Sequence, residues 1–221
     1  MPTTVATNPI TPETRRRLLE AAGEVFAERG FRAATIREIC QRAGANVAAI
    51  HYHYGDKETL YTAVLKFWHG VAQQKYPPSV EDDPAAPAEQ RLRVFVRTFM
   101  QRMLDAGRPA WHGQLIAREM VEPTNALKRL IDDVFQPQLE TLTAIMRALL
   151  VGPVSRAQLR LCAWSIFGQC LFYRHSRVVI DRMQPEQKFD AEEIERLADH
   201  ITEFSLGALK ELARKNARVA R

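Results

Sequence analysis

Residues 33–65 read AATIREICQRAGANVAAIHYHYGDKETLYTAVL, and this stretch decides how the chain folds. A short helix is predicted from Thr35 to Ala43, because apolar residues recur along it at a helical spacing. Thr35 and Glu38 have the Thr-x-x-Glu spacing of a capping box, in which each side chain accepts from the other residue's main-chain N–H. The sequence therefore predicts where this helix begins as well as its length.

A glycine and an asparagine separate this helix from a second one. Gly44 is expected to leave the first helix in a left-handed conformation, which other residues adopt at a cost. Asn46 is a good N-cap for a helix from Val47 to about Tyr54. Two short helices joined by such a turn make a helix-turn-helix. The residues expected to pack the two helices together are Ile39, Cys40, Ala43 and Ile50.

The second helix has side chains that suit the major groove of DNA. Ala48 and Ala49 are small, so the backbone can approach the base edges, and their methyl groups can contact thymine methyls. The larger side chains of His51, Tyr52 and His53 can reach phosphates or bases as hydrogen-bond donors. The sequence therefore predicts that this helix reads DNA.

Phosphate contacts are expected at two helix N-termini near the predicted recognition helix. Lys57 lies in the first turn of the next helix, where its ammonium and a main-chain N–H can hold one phosphate together. Thr35 offers a second such contact, and Arg37 projects from the same turn. The net charge of +5, from 31 basic and 26 acidic residues, permits DNA binding without demanding it. The placement of these side chains therefore matters more than the total charge.

At these residues the chain resembles the TetR family of bacterial transcriptional regulators. The resemblance covers about residues 14–65, and the segment WHGQLIAREMVEPT at residues 111–124 is similar to the CecR-like subgroup. One departure is His51, where family members usually carry tyrosine, and a histidine there could make DNA binding pH-sensitive. The positions that match the family pattern are Thr35, Ile39, Ala43, Gly44, Ile50, Tyr52, His53, Tyr54, Lys57 and Leu60.

The resemblance implies a function and a domain layout. Residues 11–56 would form a three-helix DNA-binding domain, and residues 57–221 a larger helical domain that binds an effector and dimerises. The protein would be a homodimeric repressor that binds a palindromic DNA operator, needs no cofactor and is released by a small-molecule effector. Two alternatives remain open: a transcriptional activator, and a helical protein-binding module without DNA affinity. The implied DNA-facing residues are Thr35, Arg37, Val47, Ala48, Ala49, His51, Tyr52, His53 and Lys57.

Nearly all of the remaining chain also has helical periodicity. No strand-like alternation of useful length is present, so the predicted fold class is all-α. Gly30 is expected to end the first helix. Pro137 is expected to kink or divide the helix predicted near residues 124–150. These helices are predicted near residues 11–29, 57–76, 88–106, 111–122, 124–150, 155–180 and 190–216.

Side chains on the later helices are candidates for an effector site. Aromatic residues at helical spacing can line a pocket or fill an ordinary core, and both readings remain open. A buried Arg118 would need a partner or an anionic ligand. The candidates are Phe99, Met103, Trp111, His112, Arg118, Phe135, Phe172 and His175.

The last two predicted helices carry more apolar surface than one short domain can bury. Pairing with a second copy into a four-helix bundle is the economical solution, and Gly168 would allow a close approach. The expected interface residues are Leu161, Trp164, Phe167, Gly168, Leu171, Ile201, Phe204 and Leu209.

Several other classes of protein are disfavoured by what the sequence lacks. No GxSxG, HExxH, P-loop or GxGxxG motif is present, which argues against an enzyme. His51 and His53 lie on different faces of a helix with no third ligand nearby in sequence, so no metal site is expected. Three cysteines without a secretory signal favour a reducing cytoplasm, where Cys162 and Cys170 would be buried structural thiols. No apolar stretch reaches the roughly 18 residues of a membrane-spanning helix.

Overall fold

The computed structural model describes residues 11–104, 106–150 and 152–219, apart from the side chains of residues 49, 218 and 219. This part of the chain forms eleven α-helices and no strand, which confirms the all-α fold class. The helices are α1 Pro12–Ala33, α2 Ile36–Ala43, α3 Val47–Tyr54, α4 Lys57–Lys75, α5 Ala88–Leu104, α6 Ala110–Val121, α7 Asn125–Leu130, α8 Gln136–Leu149, α9 Arg156–His175, α10 Arg177–Met183 and α11 Ala191–Val219.

Side-chain caps fix the beginnings of several helices. The Thr11 hydroxyl accepts from the main-chain N–H of Thr14 at 3.2 Å, and the Ser155 hydroxyl caps α9 in the same way. Half of the predicted capping box forms, because Thr35 Oγ1 accepts from the main-chain N–H of Glu38 at 3.2 Å. The carboxylate of Glu38 lies 3.3 Å from the Arg29 guanidinium, an ion pair between residues far apart in sequence.

The described residues divide into two compact units. Unit 1 comprises residues 11–71 and 107–134, and unit 2 comprises residues 72–106 and 135–219. The first three helices therefore pack in one unit with α6, α7 and most of α4. The predicted boundary after residue 56, which concerns where DNA binding ends, stays a prediction.

Unit 1 has its own apolar core, to which α1, α2, α3, α4, α6 and α7 contribute. The rings of Phe26 and Tyr61 meet edge to face at its centre, 4.8 Å apart. A Cβ on Gly23 would lie 2.4 Å from the Trp111 ring, so glycine lets the indole pack directly on α1. The predicted packing of the helix-turn-helix is confirmed, since all four residues expected to join α2 and α3 are buried: Ile39, Cys40, Ala43 and Ile50.

Unit 2 is built mainly from α5, α8, α9 and α11 around a second apolar core. Ile145 and Met146 of α8 are fully buried there, as are Leu92 and Met100 of α5. Phe95, Phe99 and Phe167 form a cluster of rings with centroids 5.2–6.2 Å apart. No helix within the described ranges is both long and apolar enough to cross a bilayer.

Three predicted helices differ in detail from those observed. The break at Gly30 is confirmed by its non-helical φ of 78°, after which α1 makes one more turn. The predicted helix over 124–150 is divided by a π-helical turn at Ile131–Phe135, and Pro137 follows near the start of α8. Proline has no N–H and its ring crowds the carbonyl four residues earlier, so regular α-helix does not continue through it. The predicted helix over 155–180 is interrupted at Ser176, whose ψ of 13° is not helical, and α10 then runs on to Met183.

Candidate nucleic-acid interface

The turn between α2 and α3 has the geometry that a helix-turn-helix requires. Gly44 ends α2 in the left-handed conformation, with φ 61° and ψ 35°, as predicted. The main-chain N–H of Ala45 then donates to the carbonyl of Cys40 at 2.9 Å, which closes the end of the helix. The side chain of Asn46 accepts from the main-chain N–H of Ala48 at 2.9 Å and begins α3. These local contacts fix the direction in which α3 leaves α2.

Helix α3 is held by one side and exposed on the other. Ile50 is 1% exposed within the core of unit 1, and Tyr54 packs against the same core. Val47, Ala48 and Tyr52 are exposed, with Tyr52 at 67%. The backbone of residue 49 lies in α3, but the side chain of Ala49 is outside the described part of the structure. The helix therefore presents a small-residue N-terminal turn that the rest of unit 1 does not cover.

Two histidines extend the exposed side of α3 toward its C-terminus. Nδ1 of His51 lies 2.9 Å from the carbonyl oxygen of Gly55. A carbonyl only accepts, so Nδ1 donates in this contact, and Nε2 is the ring nitrogen left for another partner. The rings of Tyr52 and His53 meet edge to face at 4.9 Å. All three side chains can therefore offer polar atoms to a ligand that lies along the helix.

The N-terminus of α2 contributes a hydroxyl and an unpaired cation. Thr35 is exposed, and its hydroxyl caps α2. Arg37 is exposed and has no ion-pair partner within residues 11–104, 106–150 and 152–219. By contrast, Arg42 forms a bidentate pair with Glu28 at 2.6 and 2.8 Å. Arg37 is therefore the cation of α2 that is available to a phosphate.

Lys57 has a role that the sequence reasoning missed. Its ammonium donates to the main-chain carbonyls of Arg32 at 3.2 Å and Ala34 at 3.1 Å. It also lies over the ring of Phe31, 4.9 Å from the centroid. Lys57 therefore ties the beginning of α4 to the end of α1. An ammonium has three N–H donors, so one N–H of Lys57 remains for a phosphate.

The chain matches two families of known proteins, and the matches fall on the elements just described. Residues 18–64 match the family of bacterial regulatory proteins named tetR, and residues 88–209 match the C-terminal domain of the HTH-type transcriptional dual regulator CecR. The second match covers more than half of the chain. The chain belongs to the TetR family, in its CecR-like group. TetR proteins are DNA-binding transcriptional regulators and not enzymes.

Relatives and solved structures agree with this membership. The dual regulator CecR of Shigella flexneri is 28% identical over 198 residues, which cover 86% of this chain and 88% of CecR. A solved chain of Pseudomonas aeruginosa PAO1, assigned as a transcriptional regulator, has a TM-score of 0.68 at 19% identity over 96% of this chain and 100% of its own. FadR of Bacillus subtilis, solved with stearoyl-CoA, has a TM-score of 0.60 at 16% identity over 86% of this chain and 97% of its own. At these identities the structures establish a shared fold.

In this TetR protein, the residues predicted to bind an effector are divided between the two units. Trp111 and His112 of unit 1 are packing residues, since the indole lies on Gly23 and His112 Nε2 is 3.0 Å from the Leu65 carbonyl oxygen. Arg118 is exposed rather than buried, and it lines a cavity within unit 1. In unit 2, Phe99 and Met103 pack against the core, whereas the remaining three are exposed: Phe135, Phe172 and His175.

The residues predicted for the dimer interface are also of two kinds. Ile201 and Leu209 are 1% and 4% exposed, because they face α5 and α9 in the core of the same chain. Phe167 and Leu171 are half-buried. The side chains of Leu161, Trp164 and Phe204 are 55–65% exposed, and Gly168 is exposed beside them on α9. The structure therefore leaves only part of the predicted set available to a second copy.

Proposed function

We propose that this protein is a homodimeric repressor, that it binds a palindromic operator through α3 and that a small-molecule effector releases it. The observation that carries this proposal is the exposure of the N-terminal turn of α3. Val47 and Ala48 are exposed there, whereas Ile50 is buried in the core of unit 1. Small side chains at the start of a short helix allow its backbone to approach base edges in the major groove.

The proposed contacts divide into base-reading and positioning groups. The N-terminal residues of α3 would contact base edges, together with Tyr52 and Nε2 of His51. Thr35 and Arg37, at the start of α2, would contact phosphates and so fix the register of the protein on the duplex. Ala49 belongs to the base-reading set by its position in α3.

An exposed apolar face on α9 and α11 supports dimerisation. Leu161, Trp164, Gly168 and Phe172 follow one another at spacings of three and four, so they share a face of α9, and Phe204 of α11 is exposed as well. We call these five residues the α9–α11 face. Exposed large apolar side chains that cluster on one helix face mark an interaction surface. A second copy related by two-fold symmetry would cover the face with the same face.

Symmetry connects the dimer to the operator and to release. Two copies of α3 read two half-sites about 34–36 Å apart, or a multiple of that spacing, along one side of the DNA. An effector releases the operator when it binds better to the state with the wrong spacing, and its effect is limited by that difference in affinity. FadR of Bacillus subtilis was solved with stearoyl-CoA, which supports ligand binding by a protein of this fold.

Selection of bound DNA from a random pool tests the operator claim. Wild-type protein should enrich inverted repeats, and a reporter placed behind such a repeat should fall in expression when the protein is present. Enrichment of asymmetric sites, or no enrichment, would contradict the palindromic operator. A rise in reporter expression would instead indicate activation, which the dual-regulator name of CecR makes a specific alternative.

The α9–α11 face is tested by the oligomeric state. Trp164→Glu should convert a dimer into a monomer in sedimentation or light scattering, because it places a charge in the proposed apolar contact. Val121→Glu is the matched control, since Val121 is 80% exposed on α6 and outside this face. A wild-type monomer, or a Trp164→Glu variant that stays dimeric, contradicts the proposed interface.

A further inference from the structure

A small cavity lies between α1 and α6 within unit 1. It has a volume of about 170 Å³ and is lined by Ala27, Gln114, Leu115 and Arg118. Ala27 and Leu115 contribute apolar surface, whereas Gln114 and Arg118 contribute polar ends. The cavity therefore combines an apolar part with hydrogen-bond donors, as small-molecule sites do.

The two polar side chains converge on the cavity from one face of α6. Gln114 and Arg118 are four residues apart, so they lie one above the other on the helix. Both side chains are exposed at the mouth of the cavity, and neither the Gln114 amide nor the Arg118 guanidinium has a hydrogen-bond or ion-pair partner among the side chains and backbone that the structure describes. Two adjacent polar groups thus line one cavity with their donors unused by the fold.

The position of the guanidinium depends on the kink in α1. A Cβ on Gly30 would lie 2.8 Å from Arg118 Nη1, and Gly30 has a φ of 78° that L-residues rarely adopt. The guanidinium therefore rests against bare backbone at the end of α1. Any side chain at residue 30 would push it away from its present place.

The two acids closest to Arg118 along α6 and on the facing side of α1, Glu119 and Glu28, have other hydrogen-bond partners. Glu119 is fully buried next to it in sequence, but its oxygens accept from the Tyr61 hydroxyl at 2.9 Å and from Thr124 at 3.1–3.2 Å. On α1, Glu28 is paired with Arg42 at 2.6 Å. Arg118 is therefore an exposed cation beside the cavity, and neither Glu119 nor Glu28 forms an ion pair with it.

We propose that this cavity binds a small monocarboxylate with a short alkyl chain. A planar guanidinium matches a carboxylate with two parallel hydrogen bonds, and the Gln114 amide can donate a third. Ala27 and Leu115 contact the alkyl chain. Pockets for drug-sized ligands measure about 300–1,000 Å³, so a pocket of about 170 Å³ suits an acid of a few carbon atoms.

The inference goes beyond the proposed function, because it concerns ligand binding by unit 1 and does not require DNA. A bound carboxylate would join α1 to α6 and stabilise the folded chain by mass action. A failure to bind carboxylate would leave the repressor proposal untouched, because carboxylate binding is measured without DNA. The proposal and the function can therefore fail separately.

The test is a titration of the full chain with sodium propionate, at constant ionic strength maintained with sodium chloride. Ligand-observed NMR should show saturable binding, and the midpoint of thermal unfolding should rise with propionate concentration. Arg118→Gln should weaken binding by about tenfold or more, because it removes the positive charge and the pair of parallel hydrogen bonds that a guanidinium gives to a carboxylate. Ala27→Leu should abolish binding by filling the cavity.

Control variants and a second anion make the outcome decisive. Arg182→Gln removes an exposed arginine of α10 and should leave propionate binding unchanged. Gln114→Ala should weaken binding without changing charge, and circular dichroism shows whether each variant is folded. Inorganic phosphate should bind at least about tenfold more weakly, because it has no alkyl group for Leu115. Non-saturable binding, an unchanged affinity in Arg118→Gln, or equal binding of phosphate would each overturn the proposal.

Discussion

The ammonium of Lys57 donates a hydrogen bond of 3.1 Å to the main-chain carbonyl of Ala34. A second bond of 3.2 Å reaches the carbonyl of Arg32, so one side chain of α4 satisfies two acceptors at the end of α1. The end of a helix carries partial negative charge, which favours a cation there. This contact fixes α4 against the segment that leads into α2, and through it the position of the helix-turn-helix.

Lys57→Ala should therefore lower stability as well as DNA affinity. Loss of two hydrogen bonds from a half-buried ammonium should reduce the free energy of unfolding by about 1–2 kcal/mol, measured by urea denaturation. A phosphate contact made by the remaining N–H would also reduce the salt slope of DNA binding by about one. Lys128→Ala is the control, because Lys128 is exposed on α7. Equal stability of the two variants would contradict the anchoring role, and an unchanged slope would contradict the phosphate role.

Tyr61→Phe should destabilise the protein, because it removes a hydrogen-bond donor from the buried Glu119 side chain. The Tyr61 hydroxyl donates to Glu119 at 2.9 Å, and the Glu119 side chain is fully buried. Removal of one donor from a buried acceptor should cost about 1–3 kcal/mol in unfolding free energy. Tyr52→Phe, at a residue 67% exposed, should cost about 0.5 kcal/mol or less. Urea denaturation of both variants measures the difference, and similar small losses would show that Glu119 does not depend on Tyr61.

Stability should fall at alkaline pH because of the same tyrosine. Burial, together with the hydrogen bond to Glu119, raises the pKa of Tyr61 above its ordinary value. The unfolded chain then loses this proton at a lower pH than the folded chain does. The protonated Tyr61 therefore contributes its full share to the free energy of unfolding below about pH 10. This share is lost as the pH rises through the folded-state pKa. Urea midpoints measured between pH 8 and pH 11 should fall more steeply for wild type than for Tyr61→Phe, and parallel curves would refute the linkage.

Cys170 should resist thiol reagents in the native protein. Burial raises the pKa of its thiol to about 12 and also raises the pKa of Cys162, which is half-buried. Since the thiolate is the reactive form, a Cys40→Ser/Cys162→Ser variant should not react with a disulfide reagent at pH 8. The same variant should react with one equivalent of the reagent in denaturant, because Cys170 is then exposed. Rapid reaction of the native variant would mean that Cys170 is accessible and would contradict its placement in the core.

Local signals in the sequence were sufficient to predict the helix-turn-helix. The turn at Gly44 and the cap at Asn46 depend on conformational preferences of single residues, and the burial of Ile39 and Ile50 follows from helical spacing. Neither kind of signal needs knowledge of distant parts of the chain. The exposed α3 was predictable for the same reason.

Contacts between distant segments were not predictable in this way. The acceptors of Lys57 are main-chain carbonyls, which every residue carries, so no sequence pattern marks those of Arg32 and Ala34. Ile201 and Phe204 are both apolar and lie close together on α11. Only the packing of α5 and α9 shows that Ile201 belongs to the core and that Phe204 stays exposed. Periodicity identifies an apolar face without showing what covers it.

If the exposed N-terminal turn of α3 lies against base pairs, the Ala48→Glu variant should bind DNA much more weakly than the wild type does. Fluorescence anisotropy with a DNA fragment selected by the wild type should show a loss of about 100-fold or more, because a carboxylate replaces a methyl group in the groove. Ala157→Glu, at an exposed position in the first turn of α9, should bind like the wild type. Circular dichroism and sedimentation should show that both variants fold and assemble as the wild type does. An Ala48→Glu protein that retains wild-type affinity would show that this turn of α3 does not contact base pairs.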